Sequence, residues 1–354
     1  MSAENSRRVR MTDVARRAGV SPTTVSFVLS GRDDMRISES TRHNVLRAAR
    51  DLDYRPNLVA RGLRTRESRL ICLISDTLLT EQYAGELIQG SLSAAAEHRH
   101  SLVVSETGQD ALLETSQIHD MVSRQVDGFI YATTAHRRVE VPRSLAGRPL
   151  VLLNCTADGQ VPSVVPDEVL GGRDAAGVLL AAGHSRDIHL VGETPPAGVP
   201  GQGRLQGLGS ALAAAGTGLA GQLVCNWWPE SAFDAVTRFL AGGGRPAALV
   251  CLNDRIALGT YEALAAAGLG VPEDVSVVSF DDSPLASWLR PAVTSIALPH
   301  RQMGRLAVEL LLDDAPAPDV HRVRMPVRLR SSVAAPVPRA RRRRARVTRD
   351  GRSA

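Results

Sequence analysis

The chain of 354 residues carries 42 basic side chains, all of them arginine, against 37 acidic ones, for a formal charge of +5. Its 44% hydrophobic and 22% charged content is that of a globular protein and excludes a disordered one. No apolar run reaches the ~18 residues needed to span a bilayer, and the basic start has no apolar stretch behind it, which speaks against a secretory signal.

The charge is unevenly spread. Residues 1–69 hold 15 arginines against 8 acidic residues, residues 336–354 hold 8 against 1, and residues 70–335 hold 19 against 28. An acidic body with two basic ends points to nucleic acid or another anionic surface as the partner of the ends. Cys72, Cys155, Cys225 and Cys251 are far apart, each in an apolar run, with no CxxC spacing. They read as buried reduced thiols, with no metal site and a cytoplasmic setting.

From the N-terminus, Thr12 is a candidate cap for a helix through DVARRAG, and Gly19 with Val20 forms a turn. Ser21 as N-cap and Pro22 at the first helical position open a second helix, PTTVSFVLSG. Val25, Val28 and Leu29 share its inner face, leaving Pro22, Thr23, Ser26 and Phe27 outside. Ser38 starts a third helix whose packed set is Val45, Leu46, Ala49 and Leu52. Two short helices around a glycine turn, backed by a third, read as a helix-turn-helix or as an ordinary three-helix bundle. The arginine excess favours the first, because arginines pair with phosphates and release counterions. The following segment, YRPNLVARGLRTRES, offers one or two amphipathic turns weakened by Gly62, too short to be stable without a partner.

TDVARRAGVSPTTVSFVLSG, the third helix and YRPNLVARGLRT together closely resemble the lactose-repressor-like (LacI/GalR) family of bacterial transcription regulators, without a gap over about sixty residues. The resemblance implies a helix-turn-helix over 8–53 and a hinge helix with linker over 54–69. It implies that Thr12 meets a phosphate and that Pro22, Thr23, Thr24, Ser26 and Phe27 belong to the major-groove surface. Asn57, Ala60 and Leu63 of the hinge would enter the minor groove, with Leu63 wedged into the central base step. The family usually has arginine where this chain has Phe27. Phenylalanine offers only apolar contact, for instance to a thymine methyl, so the half-site should differ there, unless Phe27 is tucked against the bundle.

From residue 70 onward short buried strands (LICLIS, SLVVSE, GFIYAT, PLVLLNC, DIHLVG, QLVCNW, AALVCLN, VSVVSF, TSIALP) alternate with alanine-rich helices. This is the signature of doubly wound parallel sheets, and its length suggests two lobes with a cleft at the carboxyl ends of the strands. GHSRDIHLVG, RLQGL and LVCLNDRIALGTYEALAAAGLGVPEDVSVVSFDDSP extend the family resemblance, which implies an effector-binding and dimerisation core over 70–335 of periplasmic-binding-protein-like fold. By that resemblance Arg204, Asn253 and Asp281 are effector ligands, Asn154 stands where some members have aspartate, and Trp227 and Trp228 form a stacking wall or pack against their lobe. An arginine, an amide and a carboxylate can grip vicinal hydroxyls through paired hydrogen bonds.

Several tempting motifs carry no chemistry. Asp281 and Asp282 should point opposite ways, which excludes a catalytic pair. His184 after a glycine reads as a helix-end residue, and GQGRLQG has the wrong spacing for a dinucleotide site. At the first lobe's entry Leu78, Leu79, Thr80 and Glu81 replace the family's Asn-Pro-Phe-Phe-like segment, which leaves the effector open. HRQMGRLAVELLLDD reads as a helix and VRMPVRLR as a last strand. Residues 336–354 should be a disordered Arg-rich tail, either a solvated end or a source of nonspecific DNA affinity. The expectation is a homodimeric, cytoplasmic repressor of a pseudo-palindromic operator, controlled by a sugar-like effector, with no cofactor, no membrane and no enzyme activity. An activator or corepressor-dependent repressor is the alternative, ahead of a solute-binding protein or enzyme on the same core fold.

Overall fold

Helices α1 (Met11–Ala18), α2 (Pro22–Leu29) and α3 (Glu39–Asp51) close around Val14, Ala15, Val25, Val28, Val45, Ala48 and Ala49. The computed structural model describes residues 9–29, 37–54, 67–78, 84–159, 161–196, 198–314 and 316–336. The hinge positions Asn57, Ala60 and Leu63, residues 79–81 of the first-lobe entry and the tail from 337 lie outside the described residues. The chain divides into two compact units, Met1–Arg69 and Leu70–Ala354.

Two local readings of the first unit change. Thr12 does not cap α1: the helix begins at Met11, and the Arg10 N–H donates to Asp13 Oδ2 at 2.9 Å, so the aspartate side chain satisfies the helix entry instead. Leu46 is 38% exposed, and Ala48 takes its place in the packed set beside Val45 and Ala49. Ser38 does cap α3, accepting from the Thr41 N–H at 3.2 Å, and Gly19 ends α1 at φ 67°, the left-handed region open to glycine.

The second unit is two lobes of the expected doubly wound kind. Its elements in chain order are β1 (Leu70–Ser75), α4 (Ala84–Glu97), β2 (Ser101–Glu106), α5 (Ala111–Ser123), β3 (Gly128–Arg138), β4 (Leu150–Thr156), β5 (Ser163–Pro166) and α6 (Glu168–Ala181), followed by β6 (Ile188–Val191), α7 (Val199–Ala214), β7 (Gly221–Leu223), α8 (Pro229–Ala241), β8 (Ala248–Cys251) and α9 (Asp254–Ala266). The chain closes with β9 (Ser276–Asp281), α10 (Pro284–Trp288), β10 (Thr294–Ala297), α11 (His300–Leu311), β11 (Val320–Val323) and β12 (Val327–Arg328).

The first sheet runs β11-β5-β4-β3-β1-β2 and is parallel throughout. The second runs β12-β10-β9-β8-β6-β7, with only β12 antiparallel to its neighbour. Strands covered on both faces become continuous apolar runs: Ile71 to Ile74 and Ala248 to Leu252 are fully buried. The chain passes from one lobe to the other after β5 and returns after β10, where α11 packs on α4. It passes a third time between β11 and β12.

Close helix crossings fix these connections. A Cβ at Gly172 of α6 would run into the Arg204 carbonyl, and one at Gly207 of α7 into the Val169 carbonyl, so only glycine lets the two backbones touch. The result is that Arg204 on α7 lies against Glu168 at the head of α6.

Candidate functional site

The strand ends of both lobes open onto one cleft of about 1180 Å³. Asn154, Arg204, Trp227, Asn253 and Asp281, predicted from separate stretches of sequence, all line it.

Arg204 is the centre of the site. It is 2% exposed, and a buried guanidinium is tolerable only when paired and hydrogen-bonded. Its Nε donates to Glu168 Oε2 at 2.7 Å, its Nη1 donates to the Leu252 carbonyl, and the same Nη1 lies 3.6 Å from Asp281 Oδ1. The Phe280 ring supports the guanidinium at 4.5 Å and the Trp227 ring at 5.5 Å. Burial works against the Arg204 charge, but the carboxylates of Glu168 and Asp281 more than restore it, holding its pKa above the ordinary range.

The acids around it behave differently. Burial would raise Glu168, yet the Arg204 charge and its hydrogen bond, with His136 close by, outweigh it and hold the carboxyl below its usual range. His136 Nδ1 lies 3.8 Å from Glu168 Oε1, too far for a hydrogen bond, so a first-lobe side chain approaches the carboxylate that the second-lobe arginine holds. Asp281, by contrast, is pushed up to about 7. Burial is the main cause; Arg204 pulls it back, and the charges of Asp254 and Glu168 push it further. Its side chain nevertheless keeps 28% of its surface, so an incoming ligand can reach it.

The amides are partly committed. Asn253 caps α9 by accepting from the Ile256 N–H at 2.7 Å, and its Nδ2 donates to the Trp227 carbonyl at 3.3 Å. Asn154, at φ 59°, donates from Nδ2 to the carbonyls of Thr133 and Thr134, each at 3.0 Å. It thereby shapes the irregular stretch of β3 between Ala132 and Arg137 that presents Thr134 and His136 to the cleft. Asp76 holds the same stretch from beneath, accepting from the Thr134 N–H at 2.9 Å, its hydroxyl at 2.7 Å and Arg137 at 3.1 Å.

Asp281 and Asp282 do part company, as expected. The first engages Arg204, whereas the second accepts from Arg330 at 2.5 Å and lies 3.6 Å from Arg328. Both have positive φ, 96° and 54°, and the turn is held by buried Asp254, which accepts from the Ser283 N–H at 2.7 Å and its hydroxyl at 2.9 Å. GQGRLQG lies inside α7 and forms no phosphate loop. His184 is buried, its Nε2 3.0 Å from Ser276 Oγ and 2.9 Å from the Ala334 carbonyl, where it ties down the last described segment. The four cysteines are buried and unpaired with one another. Among the described residues no His/Cys/Asp/Glu cluster could hold a metal ion, and no helix is long and apolar enough to cross a membrane.

In the first unit the outer surface of α2 carries Pro22 and Thr23 exposed, with Thr24 and Phe27 half-buried. Ser26 does not share that surface: it is 9% exposed. About 60° around the helix from Leu29, on the side away from Val25, its short side chain falls at the edge of the packed face. Thr12 stands exposed on α1, and Ser21 accepts from the Thr24 N–H at 3.1 Å to fix the start of α2.

The model for bacterial regulatory proteins of the lacI family matches residues 10–57, and that for a periplasmic binding protein-like domain matches residues 176–333. The ribose operon repressor of Haemophilus influenzae is 33% identical over 312 residues, 85% of this chain and 90% of that one. The chain belongs to the LacI family. Its Escherichia coli relative of the same description is 30% identical over 320 residues, 89% of this chain and 96% of that one. Among solved structures, the Lac repressor dimer bound to operator and the anti-inducer ONPF is similar at a TM-score of 0.75 and 26% identity, over 93% of this chain and 100% of that one. The CelR–cellobiose complex is similar at a TM-score of 0.64 and 29% identity, over 92% and 100%.

This LacI-family chain is therefore a transcriptional regulator with a helix-turn-helix unit and a two-lobed effector-binding core. Its cleft contains more than the sequence revealed. Glu168, His136 and Asp254 were not picked out, because their partners are remote in sequence. Glu168 sits in the acidic first turn of α6, right after the Asp167 cap, where an acid is ordinary helix chemistry.

Proposed function

We propose that this regulator is a repressor whose operator affinity is set by a small polyhydroxylated, sugar-like effector held in the cleft. The observation that carries the reading is the Arg204–Asp281 pair, an arginine of α7 beside a reachable carboxylate at the end of β9, with Asn253 and Trp227 on the same wall. Arg204 donates to a ligand hydroxyl oxygen, the Asp281 carboxylate accepts hydroxyl protons, and Trp227 covers a ring face. The buried Glu168 holds Arg204 in place and neutralises it when the cleft is empty. Asn154 acts mainly by shaping the first-lobe wall, with its Oδ1 toward hydroxyl donors.

Ligand held between the lobes changes their closure, and closure is the two-state element that DNA affinity reads. The protein works as a cytoplasmic homodimer, without enzymatic turnover, each subunit reading half of a pseudo-palindrome. Thr12 contacts phosphate, Pro22, Thr23, Thr24 and Phe27 face the major groove, and Ser26 supports them from the packed flank. The hinge, with Asn57, Ala60 and Leu63, takes the minor groove. Lac repressor, bound to operator as a dimer, and the ribose operon repressors of similar sequence support this reading.

The test is to select binding sites from random DNA with the full chain, then screen sugars for a change in retention of the selected fragment. Enrichment of a two-fold-symmetric site released by a sugar supports the proposal. Enrichment of no sequence, or a site indifferent to every sugar that binds the cleft, refutes it.

A further inference from the structure

The two adjacent tryptophans of the cleft are not equivalent. Trp227 is half-buried against the second lobe's core, donates its indole N–H to the Glu193 carbonyl at 3.1 Å and lies beside Arg204. Trp228 is 55% exposed, yet it lines the same cleft. The backbone explains the split: Trp228 is extended (φ −118°, ψ 150°) as it enters α8, so neighbouring side chains diverge.

Exposure thus rises along one wall, from Arg204 at 2% and Asn253 at 6% to Trp228 at 55%. Arg255 on α9 places its guanidinium 4.7 Å from the Trp228 ring, orienting the indole at the mouth. A cation–π contact at an exposed site gives only about 0.5–1 kcal/mol and does not account for leaving so large an apolar ring in water. The volume points the same way. About 1180 Å³, spread over both lobes as far as Glu86 and Arg305, exceeds the roughly 300–1,000 Å³ typical of small-molecule sites, so one sugar ring at Arg204 and Asp281 does not fill the cleft.

We infer that the cleft has a second, outer subsite on Trp228 and Arg255, and that the effector is a glycoside: an inner sugar ring on Arg204 and Asp281 with a second ring, glycosidically linked, stacked on Trp228. The inference rests on the effector reading of the cleft and adds the ligand class. A stacked ring uses the flat face of the indole, so either a second sugar or an aromatic aglycone satisfies it.

Titration calorimetry on the full chain tests this with glucose and ribose against cellobiose, maltose, p-nitrophenyl β-D-glucoside and adenosine. The expected result is that at least one glycoside binds ten times or more tighter than its own free sugar. Trp228→Ala should then weaken that glycoside about tenfold, a loss of about 1.4 kcal/mol, while any free-sugar binding stays within about twofold. Trp228→Phe, which keeps a ring, should restore most of the affinity. Preference for disaccharides or for the aromatic glycosides identifies the second ring. Equal affinity for sugar and glycoside, or equal weakening of both by Trp228→Ala, overturns the outer subsite and leaves the effector reading standing. Binding of none of the six overturns both.

Discussion

Glu168→Gln is the most informative single change, because it removes one charge from the centre of the cleft with almost no change of shape. Glu168 and Arg204 are 4% and 2% exposed and hydrogen-bonded at 2.7 Å. Losing one partner of a buried pair typically costs about 3–5 kcal/mol, because the remaining charge stays buried. Asp281, 3.6 Å from Arg204, remains to balance it in part, so the lower end, about 3 kcal/mol, is expected. For a domain of this size each kcal/mol moves Tm by about 2–4 °C, which gives a fall of roughly 6–12 °C. Differential scanning calorimetry of the full chain reads this directly. The companion is Glu168→Met with Arg204→Met, which exchanges the pair for apolar side chains. Such exchanges are often neutral or stabilising, so the double variant should regain most of the lost Tm while binding no effector. A shift below about 1 °C in Glu168→Gln would refute the uncompensated burial of Arg204, and a double variant no more stable than the single would refute the view that the pair is kept for ligand binding and not for stability.

Other outcomes follow from individual side chains. Asp281 sits near pH 7 in the empty cleft, and an acceptor of hydroxyl protons must be ionised, so effector affinity should be level above about pH 7 and fall about tenfold per unit below it. The groups setting that value are Arg204, Asp254, Glu168 and Arg255, and Asp281→Asn should bind weakly with no slope. His300 is pushed down to about 4 by burial, whereas unfolded histidine titrates near 6.5. The unfolded chain therefore binds the extra proton first, and stability, full above about pH 6.5, should drop as pH falls towards 4, by at most about 3 kcal/mol. Urea midpoints at pH 7 and pH 5 should converge in His300→Gln; an unchanged gap would contradict the assignment. Phe27→Arg should shift the selected half-site towards guanine at one position, and an unchanged selection would place Phe27 outside the groove.

The architecture was legible because parallel strands buried on both faces are continuous apolar runs, and helices between them are periodic. Four strands could be matched almost residue for residue: β1, β2, β4 and β9 correspond to LICLIS, SLVVSE, PLVLLNC and VSVVSF. β5 escaped, since SVVP is only four residues between prolines, and its place in the sheet comes from pairing with β4 and β11. The five candidate effector positions were legible from family resemblance, and all of them line one cleft, Asn154 from the first lobe and the other four from the second. What stayed hidden were groups whose meaning lies in a distant partner. Glu168 meets Arg204 across 36 positions, and Asp254 meets Ser295 across 41. Local errors had local causes. Asp13 outcompeted Thr12 at the start of α1, and Ser26 slipped under the flank of α2 because it is small.

The central claim is that ligand in the cleft and DNA on the helix-turn-helix are coupled through one protein equilibrium. Effector affinity measured with and without saturating operator, beside operator affinity with and without saturating effector, tests it most directly. Thermodynamic linkage requires the two ratios to be equal, and coupling of about 1–3 kcal/mol puts each between roughly 5- and 150-fold. The account predicts equal ratios in that range, and a ratio of one in Asp281→Ala with operator binding intact. Unequal ratios, or a wild-type ratio of one with effector demonstrably bound, would contradict it.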